Sequence, residues 1–106
     1  MTFTHQVLLS AATSATSGAP LDGRGRVYYT VQITGTWVGT ITFEATVEGN
    51  TWVAIPFTNP AGTSATTATT SDIYRISNPT SLLGLRARVS TYTSGSVSAT
   101  VVCSNV

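Results

Sequence analysis

The stretch Val27-Tyr28-Tyr29-Thr30-Val31-Gln32-Ile33 decides the fold. Val27, Tyr29, Val31 and Ile33 fall on one side of an extended chain, and Tyr28, Thr30 and Gln32 on the other. Side chains alternate across a strand with a period of two, so such a run reads as a half-buried β-strand. The same pattern recurs in both directions along the chain. Phe3, His5, Val7 and Leu9 share a face of a first strand. Ile41, Phe43, Ala45 and Val47 alternate with Thr42, Glu44, Thr46 and Glu48. Leu85, Ala87 and Val89 alternate with Arg86, Arg88 and Ser90, and Val97, Ala99, Val101 and Cys103 with Ser98, Thr100 and Val102. Residues 51–57 and 72–77 supply two shorter runs. No segment has a convincing helical period. The chain is predicted to be all-β, an antiparallel, jelly-roll-like β-sandwich of about seven to nine strands, the weaker candidates lying in 10–18 and 63–70.

Turn-forming pairs punctuate the runs: Asp22-Gly23, Thr34-Gly35, Gly49-Asn50, Asn59-Pro60, Asn78-Pro79 and Ser94-Gly95. At Gly49-Asn50 two registers compete. A two-residue loop places Val53, Ile55 and Phe57 on the face of Glu44. A three-residue loop, Gly49-Asn50-Thr51, places them with Phe43, Ala45 and Val47. A one-residue slip exchanges the faces of a strand, so burial selects the three-residue loop, with Trp52 outward near Glu48.

The chain has 106 residues, enough for one core, and residues 1–106 read as a single domain. Residues 1–20 read as a first strand followed by a surface loop, or as an extended arm reaching a neighbouring subunit. Charge is the outlier: 8% of residues are charged, against roughly 25% in an ordinary soluble domain. There is no Lys, and Ser and Thr make up nearly a third of the chain. A net charge of +1 argues against nucleic-acid or anionic-membrane partners, which need clustered cations. A near-neutral surface also loses colloidal repulsion, which suits an oligomer. Cys103 is the lone cysteine and forms no internal disulfide. The first residues lack the pattern of a signal peptide, and no apolar run approaches a membrane helix, so folding in a cytoplasm is expected.

Catalysis needs convergent groups, and few are available. His5 is the only histidine, and its face-mates make it a partly buried residue near a terminus. Cys103 alternates inward and reads as an inert thiol. No His, Cys or acid pair has metal-ligand spacing. Glu44 and Glu48 lie about 13 Å apart along a strand, too far for a carboxylate dyad. Gly23-Arg24-Gly25 lacks the spacing of a phosphate loop and reads as an exposed turn. The chain is therefore expected not to be an enzyme, with no metal and no cofactor. Arg86 and Arg88, on one strand face, and Arg75, on a short strand, either pair with acids of the domain or reach a partner. With Trp52 and Glu48 they are the candidate protein-contact residues.

Gly35-Thr36-Trp37-Val38-Gly39-Thr40-Ile41-Thr42-Phe43-Glu44, with Val47-Glu48-Gly49-Asn50-Thr51-Trp52-Val53-Ala54, carries a resemblance. So do Ile73-Tyr74-Arg75-Ile76, Leu85-Arg86-Ala87-Arg88-Val89-Ser90 and Tyr92-Thr93-Ser94-Gly95-Ser96-Val97. Together they resemble the small jelly-roll-like β-sandwich proteins of tailed bacteriophages, over residues 26–102. Such domains serve as capsid decoration or cement proteins, fibre bases and tail components. The resemblance implies a virion protein assembled in a bacterial cytoplasm. Its expected partners are the major capsid protein or other virion proteins, and copies of itself, most simply as a trimer. It brings no catalytic residues. The alternative is a carbohydrate-binding or adaptor domain of a phage tail or fibre. Trp52, Trp37 and Tyr92 would then form a sugar platform beside Glu44, Asn50 or Arg88.

Overall fold

In the computed structural model, residues 3–76 and 82–104 are described. They form β-strands and connecting segments with no helix, in an all-β antiparallel arrangement. Two long strands organise everything else: β4 (Tyr28–Thr46) and β10 (Gly84–Ser104). They pair antiparallel from Gly84↔Thr46 to Ser104↔Tyr28. Each joins two of the runs expected to be separate strands. Thr34-Gly35 and Ser94-Gly95, expected as turns, lie inside this ribbon.

The reason is the local geometry of the two glycines. Gly35 has φ +115 and Gly95 φ +89. A Cβ on Gly35 would stand 2.4 Å from the Ser96 carbonyl oxygen, and one on Gly95 2.1 Å from that of Thr36. The two backbones press together at the bend, which only glycine permits. Beside it the register shifts twice, between Val89 and Thr91 and between Tyr92 and Ser94. One bulge would turn every later side chain to the wrong face, and the second restores the phase. Leu85, Ala87 and Val89 are therefore buried on the same side as Val97, Ala99, Val101 and Cys103.

The shorter strands line the ribbon's two edges. β1 (Phe3–Ala12) pairs with the second half of β10. β2 (Thr16–Ser17) and β3 (Leu21–Asp22) pair with its first half. β9 (Asp72–Ile76) joins the first half of β4 and carries β6 (Phe57–Thr58) and then β7 (Ser64–Ala65) outward. β5 (Val53–Ala54) and β8 (Thr67–Ala68) join the second half of β4. The weaker candidate regions thus hold β2, β7 and β8. The hydrogen-bonded sheet is continuous, and the bend folds one half over the other. Phe43, from the second half, stacks on Phe57 at 4.5 Å between centroids and meets Tyr74 at 5.4 Å.

Three expectations change. Phe3, His5 and Val7 face outward, not inward. A register irregularity between Val7 and Leu9 lets Leu8 and Leu9 both enter the core. Thr4 and Gln6 then face inward, where the Arg26 guanidinium donates to Thr4 Oγ1 at 3.0 Å and Gln6 Nε2 donates to the Pro20 carbonyl at 3.0 Å. The hairpin after β4 pairs Glu44↔Ala54 and Ala45↔Val53. That keeps the predicted faces but makes the turn longer than three residues. Val47 and Val53, expected inside, are exposed at the hairpin's end, bordering a cleft of about 450 Å³ lined also by Ala45, Ile55 and Leu82. Ser77 and the Asn78-Pro79 turn lie outside the described residues.

Candidate protein-contact surfaces

Two outward surfaces carry the candidate residues. The first lies on the second half of the ribbon. Cross-strand pairing sets Arg86 opposite Glu44 and Arg88 opposite Thr42. Arg86 Nε donates to Glu44 Oε1 at 2.8 Å, and Arg88 Nε to Oε2 at 3.2 Å. The Arg86 guanidinium also lies 4.4 Å from the centroid of the Trp52 ring. Trp52 is outward and half-buried, as the chosen face requires, but it rests on Arg86 rather than beside Glu48. The Trp52 ring also fills the space above Gly84, where a Cβ would stand 3.0 Å from it. This cluster is satisfied within the domain: one carboxylate holds two guanidinium groups, and one of these covers a face of the indole.

Glu48 has a different task. Its carboxylate accepts the amide N–H groups of Asn50, at 2.9 Å, and Thr51. These bonds from Thr51 and Asn50 lower its pKa below the ordinary glutamate value. Glu48 therefore fixes the hairpin turn. Asp22 is likewise local. Its hydrogen bonds from Arg24, side chain first and then backbone, lower its pKa to about 2. The hydroxyl of buried Tyr29 reaches the carbonyls of Gly23 and Arg26 and pins the same loop.

The second surface lies on the first half of the ribbon, across β1, β10, β4 and β9. Register aligns three rows on this side of the sheet: Phe3, the buried Ser104 and Tyr28; His5, Val102, Thr30 and Arg75; and Val7, Thr100, Gln32 and Ile73. Five large apolar side chains here are conspicuously open: Phe3 67%, Val7 50%, Tyr28 49%, Ile73 47% and Val102 42% exposed. They alternate with Thr30, Gln32, Thr100 and His5 on the same side of the sheet, and several open apolar side chains gathered on one face suit an interaction surface better than the same residues scattered singly. Arg75 lies between Thr30 of β4 and Thr58 of β6, and its side chain makes no ion pair or hydrogen bond among the described residues.

The structure thus separates the five sequence candidates. Arg86 and Arg88 come together through Glu44, with Trp52 against Arg86. Glu48 is at the neighbouring turn, and Arg75 is on the other surface. Sequence reasoning missed Phe3, Val7 and His5 as surface residues. The consecutive leucines Leu8-Leu9 are the signal, because strict alternation cannot bury both. The aromatic set considered for a sugar platform is dispersed. Trp37 and Tyr92 pack against the core near the bend, with Trp37 Nε1 buried and unpaired, while Trp52 is outward on Arg86. Among the described residues, no three His, Cys, Asp or Glu side chains converge as metal ligands.

No protein-family model and no curated protein matches the sequence. Two solved structures share the fold. The SPBc2 prophage-derived protein YomS superposes with a TM-score of 0.85 at 21% identity, over 97% of this chain and 94% of that one. The PBSX exported protein XepA superposes with a TM-score of 0.89 at 17% identity, over 96% of this chain and 37% of that longer one.

Proposed function

We propose that this chain is a phage structural protein that acts by binding, as a decoration or cement protein attached to the major capsid lattice. The observation that carries the reading is the outward face of β1, β10, β4 and β9. It is a sheet surface with five exposed apolar side chains, suited to bury area against another protein. The likeness of fold to the SPBc2 prophage-derived protein YomS supports the phage setting. The thin inventory of acids, bases and nucleophiles supports a binding role over catalysis. The charge-poor, hydroxyl-rich surface suits a trimer that engages several lattice subunits together, where each modest contact gains from the others. The dispersal of Trp37, Tyr92 and Trp52 gives the tail-fibre glycan reading less support.

Particles of the encoding phage, assembled with this gene disrupted, provide the test. Purified chain added back is expected to co-sediment with them saturably and to raise the temperature at which they disassemble. Sedimentation of the free chain is expected to give the mass of a trimer. Absence of co-sedimentation, with unchanged particle stability, would refute the decoration role.

A further inference from the structure

We infer that the face formed by β1, β10, β4 and β9 docks a virion protein presenting a carboxylate between apolar side chains, with Arg75 as the charged contact. This rests on the reading of the chain as a virion-binding protein. It adds which surface binds and what chemistry the partner offers.

Side-chain hydrogen bonding singles out Arg75. Arg24 is bound by Asp22 at 2.7 Å. Arg26 donates to the Arg24 carbonyl and to Thr4. Arg86 and Arg88 share Glu44. Arg75 alone of the five has no partner among the described residues. None of the chain's four acidic side chains forms an ion pair with it. Asp22 and Glu44 are taken by these pairs, Glu48 accepts the amides of its own turn, and Asp72 accepts the Ile73 amide at 2.8 Å and makes no ion pair with Arg75. In a chain with so little charge, an exposed arginine on an apolar sheet face is a contact waiting for its anion.

The surroundings give the anion's setting. Arg75 is aligned with Thr30, and Ile73 is its outward neighbour along β9. Tyr28 is the next outward residue beyond Thr30 on β4. A carboxylate meeting the guanidinium there would have Ile73 along the strand, Tyr28 diagonally across it and the hydroxyl of Thr30 beside it. Arg and Tyr are the residue types over-represented among binding hot spots, and the planar guanidinium matches a carboxylate through two parallel bonds. Four strands about 4.8 Å apart, with three rows of residues about 6.6 Å apart, give a face of roughly 19 by 20 Å in plan. That suits the centre of an interface in which each partner buries about 800 Å². A second copy fits poorly. Identical faces bring two Arg75 cations together.

The test uses the particles lacking this chain as the binding probe. R75E and V102D are expected to weaken co-sedimentation by at least tenfold, and R75K by less, since lysine keeps the charge but loses the two-bond geometry. R75E should melt like wild type because Arg75 is exposed and unpaired, and wild-type binding should weaken as salt rises. If wild type binds and R75E binds equally well, the inference fails and the decoration reading stands. If wild type does not bind, both fail. If R75E and V102D change only the oligomeric mass, the face joins copies of this chain and the inference is overturned.

Discussion

The guanidinium of Arg86 lies 4.4 Å from the centroid of the Trp52 ring while its Nε donates to Glu44 Oε1 at 2.8 Å. The indole is thus held in place through a carboxylate it does not touch in this chain of contacts. Breaking a fully buried ion pair costs about 3–5 kcal/mol, and an exposed pair contributes about 0–1 kcal/mol. The Glu44 side chain is 10% exposed and that of Arg88 38%, so this cluster lies between. E44A is expected to destabilise by about 2 kcal/mol and R88A by about 1 kcal/mol or less. Urea unfolding followed by tryptophan fluorescence checks both. Equal effects would mean that Glu44 does not join the two arginines energetically.

Gly95 and Gly62 give a controlled comparison. Their φ values are nearly equal, +89 and +90. A Cβ on Gly62 meets nothing within 4 Å, whereas one on Gly95 meets the Thr36 carbonyl oxygen at 2.1 Å. G62A is expected to cost only the left-handed backbone penalty, about 1–2 kcal/mol. G95A adds a backbone collision inside the central ribbon and is expected to cost more than about 4 kcal/mol or to prevent folding. Similar melting temperatures for the two variants would show that the ribbon does not close tightly at the bend.

These glycines also show what was legible in the sequence. Alternation alone identified the inward residues of both long strands, because burial of one face imposes it locally. It did not reveal that Thr34-Gly35 and Ser94-Gly95 lie within one ribbon. A glycine of positive φ serves a turn or a bulge equally well, and only the distant strand decides which. Counting back from Leu9 sent Phe3, His5 and Val7 inside. Counting back from Leu8 sends Thr4 and Gln6 inside, which succeeds only because Arg26 and Pro20, both distant in sequence, satisfy them. Arg86 and Arg88 were visible as a pair, but their neutralisation by Glu44 depends on the register of β4 against β10.

Cys103 links burial to alkaline stability. Burial pushes its thiol pKa above the ordinary value of 9.0, and burial raises the phenol of Tyr29 in the same sense. Each group then holds its proton in the folded chain at a pH where the unfolded chain has released it. The associated stability is complete below the unfolded pKa, about 9 for the thiol, and is lost as the pH rises through the folded value. Urea midpoints are expected to fall above about pH 9, and C103A to reduce that fall, leaving the part due to Tyr29. At neutral pH a thiol reagent should label Cys103 only as fast as the domain opens. Rapid labelling of the native protein would contradict its burial.

Phe43 is the side chain through which the two halves of the folded sheet hold each other. It lies in the second half of β4 and is fully buried, yet its ring partners, Phe57 and Tyr74, belong to strands attached to the first half. Removing the ring creates a cavity and also cuts the aromatic contact across the fold. F43A is expected to cost about 3–5 kcal/mol, and F43L less, because leucine refills part of the volume. V102A, on the exposed face of the first half, is expected to change stability by less than about 0.5 kcal/mol. Chemical denaturation of the three variants orders them F43A, F43L and V102A by loss of stability. A loss in F43A no larger than in V102A would mean that the halves are held together elsewhere, with the bend at Gly35 and Gly95 the first place to look.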